Sequence, residues 1–407
     1  MFLLNHHPDY RSALHPEDVA TLGPAGADAI AAHLAERPNH VPTPLHSLPA
    51  LAAALDIGAL FIKDEGQRLG LGSFKALGGA YAVIRLALEA ASEKLGRRLA
   101  DADMNDPAVR AAAAGMTFAC ATDGNHGRSV AQGAQLLGAK AVIFVHGGVS
   151  DERVAAIARF GAEMVRVAGT YDDSVVEAAR VATERGWTIV SDTSWEGYER
   201  IPGLVMQGYT AIAREGLTQM QGQFEGELPT HVFVQAGVGG IAAALAAQMQ
   251  TSFGDARPFF TVVEPSRAAC IFEAVKRGKP GKIPHGAPTV MAMLECYDPS
   301  PLALRVLYRA ADAFMTAEDS DAVEAMNRLA RPAVGDTAIV AGESGAAGLA
   351  GLLAALRDPQ VRAALKLDSQ SRVFLVNTEG ATDPARYAEL VRLKPEEVAR
   401  PRQTRSA

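Results

Sequence analysis

The sequence predicts an α/β fold with mainly parallel sheets, because short apolar segments alternate with helical stretches along most of the chain. Residues 60–62, 117–121 and 232–234 are predicted strands, each followed by a helix. Glycines lie between predicted helices and the strands that follow them: Gly138 precedes a strand at residues 141–145, and Gly161 precedes one at 164–167. Glycine at such a position supplies the left-handed end of a helix. Further strands are predicted at 187–190 and 373–376.

Length and composition describe a globular chain. Its 407 residues, 48% hydrophobic and 21% charged, suffice for two or three domains. The net charge of −7, without a basic run, argues against nucleic-acid binding. No long uncharged apolar span or signal-like N-terminus is seen, so we expect a cytoplasmic enzyme with no membrane partner. Residues 1–45, rich in His and Pro, are expected to wrap the surface.

The three cysteines give no sign of a metal site. Cys120, Cys270 and Cys296 form no Cys-x-x-Cys pair. The sequence therefore predicts neither a metal cluster nor a disulfide scaffold.

Lys75 follows a glycine-bearing loop and opens an apolar helix in the segment Ser-Phe-Lys-Ala-Leu-Gly-Gly-Ala, residues 73–80. A helix N-terminus disfavours a positive charge, and burial lowers the pKa of a lysine. Both conditions suit an amine that forms a Schiff base. Most lysines lie on the surface, but the apolar and small neighbours of Lys75 favour a functional role.

A strand over residues 230–235 is followed by Gly237, Val238, Gly239 and Gly240 and then by a helix. Strand, glycine turn and helix form an anion-binding arrangement. A dinucleotide fingerprint needs its third glycine further along, so one phosphate fits better. A purely structural turn is the alternative.

A second polar loop, residues 122–128, precedes another helix. Asn125 can donate to a phenolate oxygen, and Asp123 is a candidate acid or base. The alternative is an ordinary helix-capping loop, in which Asp and Asn are common.

Four motifs in order, Pro-Thr-Pro-Leu from Pro42, Ser-Phe-Lys, Gly-Asn-His and Gly-Val-Gly-Gly, resemble the fold type II (tryptophan synthase β-like) enzymes that use pyridoxal 5'-phosphate (PLP). Within that family, residues 74–81, 122–128, 192–198, 206–209, 342–346 and 378–380 are similar to the diaminopropionate ammonia-lyases. The resemblance implies two open α/β domains with the cofactor between them. It also implies a large domain of residues 1–115 and 211–407, a small inserted domain of 116–210, and a homodimer.

The resemblance also implies a role for each motif residue. Lys75 would hold PLP and remove the Cα proton of an L-substrate, with Asp123 as the base for a D-substrate. A hydroxyl at Thr378, facing the pyridine nitrogen, would favour elimination over transamination. The implied cofactor-binding residues are Lys75, Phe74, Asn125, Gly237, Val238, Gly239, Gly240 and Thr378, and the implied substrate-binding residues are Asp192, Asp123, Thr122 and Tyr209. No metal is implied.

The expected reaction is elimination of ammonia from 2,3-diaminopropionate to give pyruvate. Asp123 and Asp192 favour this substrate, because two carboxylates can pair with its second ammonium. The alternatives are a dehydratase of serine, threonine or 3-phenylserine, and a PLP-binding protein without catalysis. Met293 and Tyr297 are bulky where the family tends to have small residues, which leaves the substrate open.

Overall fold

The computed structural model describes residues 1–38, 40–122, 124–224, 226 and 228–400. The chain forms two compact units. The first contains Met1–Leu14, Pro42–Gln67 and the chain from Ile212 onward, and the second contains His15–Val41 and Arg68–Ala211. In the described residues, no helix is long and apolar enough to cross a membrane.

The strands of the described chain are numbered in sequence order. They are β1 (Phe2–Leu4), β2 (Leu45–Ser47), β3 (Ala59–Asp64), β4 (Thr117–Ala121), β5 (Lys140–His146), β6 (Glu163–Val167), β7 (Thr188–Ile189), β8 (His231–Gln235), β9 (Phe259–Pro265), β10 (Ala313–Ala317) and β11 (Arg372–Asn377).

The α-helices are numbered in the same way. They are α1 (Pro16–Leu22), α2 (Pro24–Ala35), α3 (Pro49–Ala54), α4 (Lys75–Leu95), α5 (Pro107–Ala113), α6 (Asn125–Leu137), α7 (Asp151–Ala158), α8 (Tyr171–Arg185), α9 (Arg200–Gln223), α10 (Gly240–Phe253), α11 (Cys270–Arg277), α12 (Pro301–Ala310), α13 (Asp319–Ala330), α14 (Ala347–Arg357), α15 (Pro359–Ala364), α16 (Pro384–Val391) and α17 (Pro395–Val398).

The described residues of the first unit form a seven-stranded sheet in the order β1-β10-β9-β8-β11-β3-β2. Its middle strands are parallel, and β1 and β2 add antiparallel edges. Strands β8 and β10 are buried at every position, as expected of parallel strands covered on both faces. The chain order reverses at β8, which lies between β9 and β11. In open α/β sheets, ligands bind at the carboxyl ends of strands at such a point.

The second unit has a four-stranded parallel sheet in the order β6-β5-β4-β7 among its described residues. Helix α4 packs closely on α6 because glycines lie at the contact. A Cβ on Gly133 would lie 2.8 Å from the Cα of Ala80, and one on Gly79 would lie 3.0 Å from the Cβ of Ser129. This close packing fixes the start of α4, where Lys75 lies, within the second unit.

The alternation of strands and helices is confirmed, and Gly138 and Gly161 have the expected positive φ of 73° and 78°. The expectation that residues 1–45 only wrap the surface is wrong, since β1 pairs with β10 and α2 buries Ile30 and Leu34. The compact units also divide the chain differently from the predicted domains. Helix α4 and residues 15–41 belong to the second unit.

Candidate active site

Lys75 is the first residue of α4, at the predicted boundary between loop and helix. Its ammonium donates a hydrogen bond to the carboxylate of Asp192, in the loop after β7. The Nζ atom lies 5.3 Å from the ring centroid of Phe74 and 6.0 Å from that of Tyr209, both within the range of a cation–π contact. The amine is thus held by one carboxylate and two aromatic rings.

Asp192 is a carboxylate at neutral pH. Burial alone would raise its pKa, but the positive charge of Lys75 and the hydrogen bond from Lys75 outweigh this effect and hold the pKa well below its usual range. An ionised carboxylate only accepts hydrogen bonds. Beside the charged Lys75, Asp192 can therefore bind a cationic group and has no proton to donate.

Tyr209 lies beside the lysine as a buried, neutral phenol. Burial raises the pKa of Tyr209 far above its usual value, against the opposing charge of Lys75. Its ring meets that of Phe74 edge to face at 4.7 Å. A Cβ on Gly78 would lie only 2.6 Å from Cε1 of Tyr209, so the glycine leaves room for this ring.

The asparagine loop opens α6 in the same unit. The Thr122 hydroxyl oxygen accepts hydrogen bonds from the N–H groups of Gly124, at 3.0 Å, and Gly127, at 3.2 Å. Thr122 therefore caps the helix, which is a structural task beside its predicted contact with substrate. Asn125 is the buried first residue of α6. Asp123, the predicted second base, lies outside the described residues.

His126 is a further polar residue at this site that was not predicted. Its Nε2 lies 2.8 Å from the carbonyl oxygen of Val190, and its buried Nδ1 has no partner in the described part of the chain. Burial is the main cause that lowers the pKa of His126. The ring is therefore neutral at neutral pH. The available sequence signal was a histidine in the first turn of a helix, directly after Asn125.

In the first unit, the predicted glycine loop joins β8 to α10. Gly239 has φ of 102°, in the left-handed region that favours glycine. A Cβ on Gly237 would lie 2.9 Å from the Sγ of Cys296. The N–H groups of Val238, Gly239 and Gly240 donate to no acceptor among the described residues. Free N–H groups at the start of a buried helix are the donors that a phosphate requires.

Thr378 directly follows β11 in the same unit. Its buried hydroxyl oxygen accepts a hydrogen bond of 2.9 Å from Nε2 of Gln235, the last residue of β8. Gln235 was not predicted as a site residue. Its signal in the sequence was an amide side chain at the end of a strand whose three middle residues are apolar.

Each of the two units thus contains some of the predicted site residues. The second unit brings Lys75, Phe74, Asp192 and Tyr209 together, and it also holds Thr122 and Asn125. The first unit holds Gly237, Val238, Gly239, Gly240 and Thr378 at the carboxyl ends of β8 and β11. The three cysteines are free thiols, and no group of metal-binding side chains occurs among the described residues.

Comparison with known proteins identifies the family. The model of the pyridoxal-phosphate dependent enzymes matches residues 36–379. The chain belongs to this family. It is 38% identical to a diaminopropionate ammonia-lyase of Escherichia coli, over 86% of this chain and 87% of the relative. It is 37% identical to a diaminopropionate ammonia-lyase of Salmonella typhimurium, over 91% and 92% of the two chains.

Comparison with a solved structure supports the same family. The crystal structure of Escherichia coli diaminopropionate ammonia-lyase, in complex with an aminoacrylate–PLP reaction intermediate, superposes with a TM-score of 0.85. It is 36% identical, and the match covers 96% of each chain. The fold type II resemblance and the PLP cofactor are therefore confirmed. The residues present fit this PLP-dependent family, since the lysine opens a helix and the glycine loop offers free N–H groups.

Proposed function

We propose that this chain is a diaminopropionate ammonia-lyase. It would convert 2,3-diaminopropionate and water into pyruvate and two molecules of ammonia. The observation that carries the proposal is the contact between Lys75 and the ionised carboxylate of Asp192. The relatives that match most of the chain support it, because they carry this name.

Lys75 and Asp192 have separate tasks in this proposal. Bound PLP supplies the electron sink for a carbanion at Cα. Lys75 attaches the cofactor and takes the Cα proton of the L-substrate. When the amine of Lys75 is committed to these tasks, Asp192 no longer has its ammonium partner. The second ammonium of diaminopropionate can take that place as a charge-assisted hydrogen-bond donor.

The charge state of Asp192 favours an amine as the leaving group. Departure of a hydroxyl requires a proton from an acid. Asp192 is ionised beside the ammonium of Lys75, and the β-ammonium of diaminopropionate would keep it ionised in the same way. The β-ammonium of diaminopropionate carries its own protons. A serine or threonine dehydratase would need a protonated acid at this position.

The remaining roles follow the family resemblance. Phe74, Asn125, Thr378 and the loop from Gly237 through Val238 and Gly239 to Gly240 would bind the cofactor. Thr122 and Tyr209 would bind substrate, and Asp123 would be the base for the D-enantiomer. We also propose a cytoplasmic homodimer that acts in amino-acid degradation. Light scattering on the purified holoenzyme tests the dimer.

The proposed function is tested by release of 2-oxo acid and ammonia from the PLP-loaded protein. Diaminopropionate, serine, threonine and 3-phenylserine are compared under the same conditions. We expect the highest kcat/KM with diaminopropionate, and two ammonia for each pyruvate. Robust activity on a 3-hydroxy amino acid with none on diaminopropionate would show a dehydratase instead.

A further inference from the structure

We propose that Gln235 is a positioning residue. It would fix the hydroxyl of Thr378 as a hydrogen-bond donor to the ring nitrogen of bound PLP and so keep that nitrogen unprotonated. The inference rests on the proposed function, in which Thr378 faces the ring nitrogen. It adds a residue that the sequence motifs do not identify.

Four oxygens surround one end of the Gln235 side chain, which is fully buried. Nε2 lies 2.9 Å from Oγ1 of Thr378, 3.0 Å from the carbonyl oxygen of Ser344, 2.9 Å from that of Gly345 and 3.1 Å from that of Val376. Carbonyl oxygens only accept hydrogen bonds. The end of the amide that faces them must therefore be its NH₂ group, and chemistry fixes the orientation of the side chain.

The position of Gln235 follows from the sheet. Parallel strands β8 and β11 are in register, with Phe233 beside Leu375. The same register places the end of β8 beside the end of β11, so an amide on the last residue of β8 reaches the residue after β11. Gln235 is close enough to bind both the backbone and the side chain at that point.

This arrangement leaves the hydroxyl of Thr378 with a proton to donate. One lone pair of Oγ1 is occupied by Gln235, and the acceptor within reach in the described chain is the carbonyl oxygen of Ser344, at a long 3.4 Å. A ring nitrogen with a free lone pair would be a better acceptor. A protonated ring nitrogen would have to use the second lone pair of Oγ1, and the hydroxyl proton would then be left with the long contact to Ser344. The neighbouring carboxyl of Glu379 lies instead toward Thr382 and Gly342.

The consequence concerns the choice between reactions. An uncharged ring withdraws electrons less strongly than a pyridinium, and this favours elimination over transamination. Buried hydrogen bonds are strengthened by their low-dielectric surroundings, so a single donor such as Gln235 can decide which way the hydroxyl points. Gln235 would act only through Thr378, without touching substrate.

The test is the ¹⁵N chemical shift of ring-labelled PLP bound to the holoenzyme. We expect an unprotonated ring nitrogen in the wild type at neutral pH. Gln235→Met keeps the length of the side chain but removes the donor, and should raise the ratio of protonated to unprotonated ring nitrogen about tenfold, or one pKa unit. Thr261→Val is the matched control, because it removes a buried hydroxyl on the adjacent strand β9 that has no hydrogen-bond partner among the described residues.

The outcomes are distinct. A protonated ring nitrogen in the wild type, or a shift in Gln235→Met equal to that of the wild type, would overturn the role of Gln235 and leave the proposed function standing. If Gln235→Met does not fold, Gln235→Glu replaces it, because it keeps the size of the side chain and at most one donor proton. Its ¹⁵N chemical shift is expected to lie between those of the unprotonated and protonated ring nitrogen. A ¹⁵N chemical shift equal to that of the wild type would overturn the role of Gln235. Failure of the wild type to bind PLP would overturn both proposals.

Discussion

The carboxylate of Asp192 accepts a hydrogen bond from the ammonium of Lys75, although the two residues are 117 positions apart in the sequence. Lys75 opens α4, and Asp192 lies in the loop after β7. The contact stabilises both charges, and it places an anion next to the amine that is proposed to hold PLP. The predictions below start from this pair.

Replacing Lys75 by Ala should abolish covalent attachment of PLP and nearly all turnover. It removes the amine and leaves the Asp192 carboxylate without its cation. The absorbance spectrum of the PLP-loaded protein and the mass of the protein after borohydride reduction measure the attachment. Lys94→Ala, on the exposed face of the same helix, is the control and should resemble the wild type. Covalent PLP in Lys75→Ala would assign the cofactor to another lysine.

The lysine and the glycine loop could be predicted from sequence because each is a continuous motif at a strand–helix junction. The contact of Lys75 with Asp192 could not, because it depends on how the second unit folds. Asp192 was predicted as a site residue only from the family resemblance. Gln235 was missed because its importance comes from the backbone carbonyl oxygens around it, which a sequence does not show.

Gly239→Ala should weaken PLP binding by about tenfold or more and also lower the free energy of unfolding by about 1–3 kcal/mol. The φ of 102° strains any other residue, and a Cβ would lie 3.0 Å from both the Cβ of Ala303 and the Cδ1 of Ile271. PLP titration and urea unfolding measure the two effects. Gly281→Ala is the control, since its Cβ would meet open space. Unchanged PLP affinity in Gly239→Ala would show that the phosphate binds elsewhere in the protein.

The Asp192 charge should make the stability of the apoprotein depend on pH. The pKa of Asp192 in the folded state lies below that of an unfolded aspartate. Its contribution to the free energy of unfolding is therefore present above a pH of about 4 and is lost as the pH falls. Asp192→Asn should therefore be less stable than the wild type near neutral pH, and the difference should shrink in acid. Urea unfolding of both apoproteins across this range measures it. A difference that is constant with pH would contradict the assigned charge state.

Asp123→Asn should reduce activity on the two enantiomers of diaminopropionate to different extents. If Asp123 is the base for the D-substrate, the variant should lose about 10²–10⁴-fold in kcat/KM with the D-enantiomer and less with the L-enantiomer. Asn keeps the size and much of the hydrogen bonding of Asp. Equal losses on both enantiomers would show that Asp123 is not a face-specific base. This prediction rests on the sequence motif.

The first forty-five residues show why some of the fold was missed. Their many prolines suggested a segment that wraps the surface, but Pro16 and Pro24 each occupy the first position of a helix, where proline is well tolerated. Strand β1 has three residues, too few for a periodic pattern to be visible. Its place at the sheet edge is decided by pairing with β10.

The most direct test of the central claim is the preference of the holoenzyme for diaminopropionate over serine, measured as a ratio of kcat/KM in the wild type and in Asp192→Asn. The variant keeps the size of the side chain and removes the anion that would bind the second ammonium. We expect this ratio to fall about a hundredfold, because the interaction lost is a charge-assisted hydrogen bond in a partly buried site. A ratio that is the same in both proteins would contradict the claim that Asp192 selects a diamino substrate.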